Sequence, residues 1–204
     1  MTERSDSPDL LAIARAELDA SRRTLAALDD LLPVVAGLAE EFAARLRRGG
    51  RAYFFGNGGS AADAQHWAAE LSGRFYVDRP ALPAFALGMN ASEVTAIGND
   101  YGYEDVFARP LRGFVGPDDV AVGISTSGNS ANVVRALEAA REAGALAVGF
   151  TGAGGGRMAG AADVLVAVPS RETPRIQEAH EVLGHTLCAL VERLMFGDDP
   201  APAA

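Results

Sequence analysis

Two short stretches of this sequence hold most of its candidate chemistry. The first runs Asp63-Ala64-Gln65-His66-Trp67-Ala68-Ala69-Glu70, and the second Gln177-Glu178-Ala179-His180-Glu181-Val182-Leu183-Gly184-His185. On a helix, His66 and Glu70 share a face one turn apart. The second stretch carries two of the chain's three histidines. A carboxylate and an imidazole on opposite sides of a small molecule can move a proton between adjacent atoms, each group worth roughly 10²–10⁴ in rate. His, Glu and Gln together can also ligate a divalent metal that polarises a carbonyl. Plain structure accounts for the same residues: His66 and Glu70 suit a helix-surface pair, and His180 and His185 suit a solvated and a core histidine. Gln177 and His185 are eight apart, roughly 12 Å along an ideal helix. One ion shared by both needs long reach, an irregular helix start, or two subunits.

Two polar loops adjoin these stretches in the pattern. Gly56-Asn57-Gly58-Gly59-Ser60 follows the apolar run Arg51–Phe55, and Ser125-Thr126-Ser127-Gly128-Asn129-Ser130 follows Asp119–Ile124. Each precedes a helical pattern, so each offers free N–H groups and a positive dipole end to an anion. The second adds four hydroxyls within six residues, a density of neutral donors suited to phosphate. Neither has the GxGxxG spacing or the P-loop lysine, and a tight turn with an N-cap would use the same residues.

The elements that must position these groups follow from periodicity. Arg51–Phe55, Ala84–Leu87, Asp119–Ile124, Leu146–Phe150 and Val164–Val168 are apolar runs of strand length. Helical patterns fall near 60–74, 91–98, 104–115, 130–143 and 174–195. Apolar strands alternating with helices indicate an α/β fold with a parallel sheet covered on both faces, its ligands beyond the strands' carboxyl ends. Ahead of the sheet, a helical hairpin is expected over 8–48. Leu11, Leu18, Leu25 and Leu32 line its first helix, with Ala14 and Leu28 near the same face, and Val34, Leu38, Phe42 and Leu46 its second. These stripes pack either on the chain's own sheet or on another subunit. The tail 198–204 is expected to be frayed.

Composition narrows the function. The 204 residues carry a formal net charge of -9 and a single cysteine. The charge disfavours nucleic-acid partners, and one cysteine forms neither an internal disulfide nor a thiolate zinc site. No apolar stretch is long enough to span a bilayer and no leader pattern opens the chain, so a cytoplasmic, single-domain protein is expected.

Four blocks, GNGGSAADAQHWAAELSGRF (56–75), IGNDYGYEDVFAR (97–109), ISTSGNSANVVRAL (124–137) and RIQEAHEVLGH (175–185), resemble those of bacterial phosphoheptose isomerases, within the sugar isomerase (SIS) domain family. The resemblance spans about residues 8–195. It implies a three-layer fold with a five-stranded parallel sheet flanked by helices, and a homotetramer with active sites at subunit interfaces. It implies conversion of sedoheptulose 7-phosphate, a phosphorylated seven-carbon sugar, to D-glycero-D-manno-heptose 7-phosphate through an enediol-type intermediate. Glu70 and His185 match the catalytic pair, and Ser125, Thr126, Ser127 and Ser130 the phosphate site. Asn57, Gly58, Ser60, Arg74, Asn99, Asp100 and Gln177 match substrate-lining positions. His66, Glu70, Gln177 and His185 match the zinc ligands of some members. Pro174 departs from relatives that carry an aspartate near the sugar. The alternatives are a non-catalytic binding protein of the replication-initiator-associating type, which lacks the carboxylate and histidine kept here, and an isomerase of another phosphosugar.

Overall fold

The computed structural model describes residues 8–197; the tail at 198–204 lies outside them. Five parallel strands form the sheet: β1 (Ala52–Gly56), β2 (Ala84–Ala86), β3 (Val120–Ser125), β4 (Leu146–Thr151) and β5 (Val164–Ala167), in the order β2-β1-β3-β4-β5. Every residue of β1, β3 and β4 is buried, which is why these strands read as continuous apolar runs rather than alternating ones. Successive side chains go to opposite layers. Phe54 joins Phe42, Trp67, Phe150 and Leu183 on one face, whereas Phe55 joins Phe107, Leu111, Leu137 and Met158 on the other.

The chain leaves β1 toward one edge and returns on its other side for β3. Gly56 pairs in register with Ile124. The β1/β3 boundary is therefore the topological switch point, where a doubly wound sheet opens a crevice at its carboxyl edge. Helix α3 (Gly59–Ser72) leaves β1 there, and α6 (Ala131–Glu142) follows β3. The α4 (Ala91–Asp100), α5 (Ala108–Arg112) and α7 (Met158–Ala161) helices are shorter, and α8 (Thr173–Phe196) closes the described chain. The single helix expected over 104–115 is instead a 3-10 turn at Tyr103–Asp105 followed by α5. Pro110, without an N–H, and Gly113 limit its length.

Helices α1 (Leu10–Ala26) and α2 (Leu32–Arg47) join through a one-turn 3-10 segment, Asp29–Leu31, and both contact α8. The α2 stripe is Val35, Leu38, Phe42 and Leu46, all buried, while Val34 is exposed. Stepping by four drifts about 40° around a helix each time, so the expected stripe leaves the core at its first member. In α1, Leu10, Leu11, Ile13 and Leu18 are exposed and no residue is buried. Only Leu25, and Leu28 just beyond the helix, pack on the core. The first half of the α1 stripe, Leu11 and Leu18, thus finds no cover within the chain.

Candidate active site

Helices α3 and α8 are pressed together by one glycine. A Cβ at Gly184 would sit 2.0–2.3 Å from the Trp67 indole, so only a hydrogen lets α8 approach this closely. That approach brings His66 of α3 to His185 of α8, Nε2 to Nε2 at 2.8 Å. Glu181 Oε1 stands 3.1 Å from each of these nitrogens. Glu70 Oε1 lies 3.5 Å from His66 Nε2. Glu70 and His185 thus meet at His66 from two separate helices.

Glu181 carried no expected role, although its spacing of four from His185 places it on the same face of α8. Its second oxygen accepts a hydrogen bond from the Trp67 Nε1–H at 3.2 Å. Asp63, one turn before His66, also adds to the cluster. Its Oδ2 is buried without a partner. Burial, followed by the charge of Glu181 and opposed by His66, pushes its carboxyl up to about 6. Two imidazoles among three carboxylates suit a cation.

The two loops lie side by side at the switch point. Ser125 Oγ is 2.9 Å from Ser130 Oγ and 3.4 Å from Ser127 Oγ, so three hydroxyls converge. Gly128 turns the loop at φ +66°, where a Cβ would strike the Gly155 carbonyl 2.2 Å away. Thr126 is half-buried in the same loop, and Gly58 and the buried Ser60 open α3. Asn57 and Asn132 exchange reciprocal amide hydrogen bonds at 3.0 and 2.8 Å, and the Tyr103 hydroxyl donates to Asn57 Oδ1 at 3.1 Å. Asn132 thereby ties the first loop to α6 and Tyr103 ties it to the 3-10 turn at Tyr103–Asp105; the Asn57–Asn132 pairing spans 75 residues and spacing gives no sign of it.

The remaining expected residues are dispersed. The Gln177 amide lies against Gly59, where a Cβ would come within 2.3 Å of its Nε2. It therefore faces the start of α3, while His66 sits two turns further on. Asn99 and Asp100 end α4, exposed and bonded to each other at 2.8 Å. Arg74 is exposed just past the end of α3.

The turn carrying Arg74 is held by a buried ion pair. Glu192 accepts from the N–H groups of Phe75, Tyr76 and Val77 and from Arg79 Nε, at 2.7–3.1 Å. Burial pushes this carboxyl up, but the four donors outweigh it and hold it below its ordinary value. Arg79 also donates to the carbonyls of Glu70, Leu71 and Gly73, satisfying the open end of α3. Phe75 packs its ring 5.5 Å from that of His185.

A parallel sheet with a glycine-rich and a hydroxyl-rich loop at its switch point, and a cluster of imidazoles and carboxylates on the helix that follows the first, suits a phosphosugar-handling α/β protein. The SIS domain model matches residues 18–152. The phosphoheptose isomerase of Rhodospirillum rubrum is 54% identical over 165 residues, covering 81% of this chain and 88% of the relative. That of Aneurinibacillus thermoaerophilus is 50% identical, covering 86% and 88%. The solved phosphoheptose isomerase of Neisseria gonorrhoeae superposes with a TM-score of 0.83 at 41% identity, covering 89% of this chain and 99% of that one. The chain belongs to the phosphoheptose isomerase family, and is an enzyme of the aldose–ketose isomerase class.

Proposed function

We propose that this enzyme interconverts sedoheptulose 7-phosphate and D-glycero-D-manno-heptose 7-phosphate by proton transfer. The observation that supports this most is the meeting of Glu70 and His185 at one imidazole, His66, drawn from α3 and α8. The phosphate is held by Ser125, Thr126, Ser127 and Ser130, with Gly58 and Ser60 adding backbone and hydroxyl donors. Asn57, Arg74, Asn99, Asp100 and Gln177 contact the sugar, Arg74, Asn99 and Asp100 by closing over it or across a subunit boundary.

Glu70 and His185 divide two proton transfers. One takes the C1 proton of the ketose and returns it at C2; the other moves a proton between the two oxygens. The bonding electrons shift within the sugar, so the enediol forms and collapses without an outside reactant. A divalent ion, zinc by the nature of the donors, fits the cluster. His66, Glu70, Gln177 and His185 would hold it: donor atoms around a tetrahedral zinc lie about 3.3 Å apart, and His66 Nε2 lies 2.8 Å from His185 Nε2 and 3.5 Å from Glu70 Oε1. When bound, it supplies Lewis-acid polarisation of the carbonyl.

Residues 8–197 act as one domain, and the exposed α1 leucines are the seam of a homotetramer. Among the described residues no helix is long and apolar enough to cross a membrane, and a charged sugar phosphate suits a cytoplasmic enzyme. The purified protein, incubated with sedoheptulose 7-phosphate and followed by NMR, is expected to produce the aldose. Binding without aldose would favour a non-catalytic binding protein. Turnover of a shorter sugar phosphate alone would reassign the substrate.

A further inference from the structure

The orientation of the Asn57 amide is dictated from α6. The Val133 N–H, in the first turn of α6, can only donate, and it reaches Asn132 Oδ1 at 3.0 Å. This identifies the oxygen of Asn132. Its Nδ2 is therefore the atom 2.8 Å from Asn57 Oδ1, and Asn57 Nδ2 is the atom 3.0 Å from Asn132 Oδ1. The Tyr103 hydroxyl donates to the same Asn57 Oδ1 at 3.1 Å. A carboxamide oxygen has two lone pairs and its nitrogen two hydrogens. Both acceptor sites of Asn57 are thus filled and one of its hydrogens is used; the other has no partner among the described residues. Asn57 and Tyr103 line an open cavity that Ser130 and Asn132 also border. The Tyr103 ring is 58% exposed, so burial does not hold it; its turn does. Asp105, two residues on, accepts from Arg135 of α6 at 2.7 Å, and Glu104 stands 3.7 Å from the same guanidinium.

We propose that Tyr103 is a positioning residue: with Asn132 it locks the Asn57 amide so that Asn57 meets the sugar only as a hydrogen-bond donor, toward a hydroxyl or carbonyl oxygen. This rests on the reading of Asn57 as a sugar contact. An amide already fixed loses little freedom when the ligand arrives, so the lock strengthens binding without adding a contact of its own. A contact made equally in the ground state and the transition state acts on KM rather than kcat.

The test is a double-mutant cycle on the full-length enzyme with sedoheptulose 7-phosphate, reading KM and kcat separately. Tyr103→Phe removes one neutral hydrogen bond and is expected to raise KM roughly 3–10-fold, with kcat within about twofold of wild type. Its ring is exposed, so Tm should move by less than about 4 °C. In the Asn57→Ala background the same substitution should change KM by less than about twofold, because the group it acts through is gone. If Asn57→Ala does not fold, Asn57→Ser, whose side chain is shorter, serves as the background. An equal rise in KM in both backgrounds would overturn the proposal, as would an unchanged KM in Tyr103→Phe or a loss confined to kcat. If Asn57→Ala raises KM and Tyr103→Phe does not, the positioning role alone fails. If Asn57→Ala leaves KM unchanged, the sugar contact fails and the proposal with it. A wild-type chain that turns over no sugar phosphate would sink the isomerase reading; the same cycle on urea midpoints would then read the Tyr103–Asn57 coupling, and additive effects there would sink the lock as well.

Discussion

Replacing Glu192 with alanine should be among the most damaging changes available in this chain, because its carboxylate holds the turn at 75–79. Its carboxylate and the Arg79 guanidinium are only 3% and 2% exposed. Alanine leaves a buried cation unpaired and strips the N–H groups of Phe75, Tyr76 and Val77 of their acceptor. Breaking a buried pair from one side costs about 3–5 kcal/mol, against a total stability of about 5–15 kcal/mol for a domain. For a chain of this size each kcal/mol shifts Tm by about 2–4 °C, so a fall of about 10 °C or more is expected by calorimetry. Glu192→Gln keeps a carbonyl acceptor for part of the network and should fall by less. The sign of the pH dependence follows from the lowered carboxyl. The stabilisation is fully present above the ordinary carboxylate value and is lost as pH falls through the folded one, so the gap to Glu192→Ala should narrow in acid. A Tm for Glu192→Ala within about 2 °C of wild type at neutral pH would refute the clamp.

His180 is held neutral by burial, which lowers it from 6.5 to about 4 against the Thr151 carbonyl hydrogen bond. Its stabilisation is intact above pH 6.5 and lost as pH falls toward 4, about 3 kcal/mol in all; urea midpoints of His180→Gln should be flatter across that window. Asn132→Ala removes the reciprocal partner of Asn57 and should cost about 1–3 kcal/mol while raising KM more than it lowers kcat. Leu11→Glu with Leu18→Glu should shrink the assembly seen by light scattering without unfolding the subunit, since both leucines are exposed within one chain; an unchanged mass would remove α1 from the subunit seam.

The sheet was legible because β1, β3 and β4 are buried on both sides and so are apolar without interruption. The hydroxyl loop was legible because four hydroxyl side chains within six residues gather neutral donors between a strand and a helix, where anions bind. Features that depend on distant partners were not. Nothing local to Gly184 announces the Trp67 indole against it, and nothing local to Glu192 announces the turn at 75–79 that it holds. Glu181 shared a face with His185 in the sequence, yet its importance comes from Trp67 and His66 on another helix. The α1 leucines are the reverse case: the periodicity was plain, yet Leu11 and Leu18 stay exposed in the single chain.

The proposed mechanism turns on Glu70 as a proton carrier, and the kcat of Glu70→Gln on sedoheptulose 7-phosphate tests that role most directly. A fall of roughly 10²–10⁴-fold, with Tm and assembly state unchanged, is the predicted result. A kcat close to that of the wild-type enzyme would contradict it.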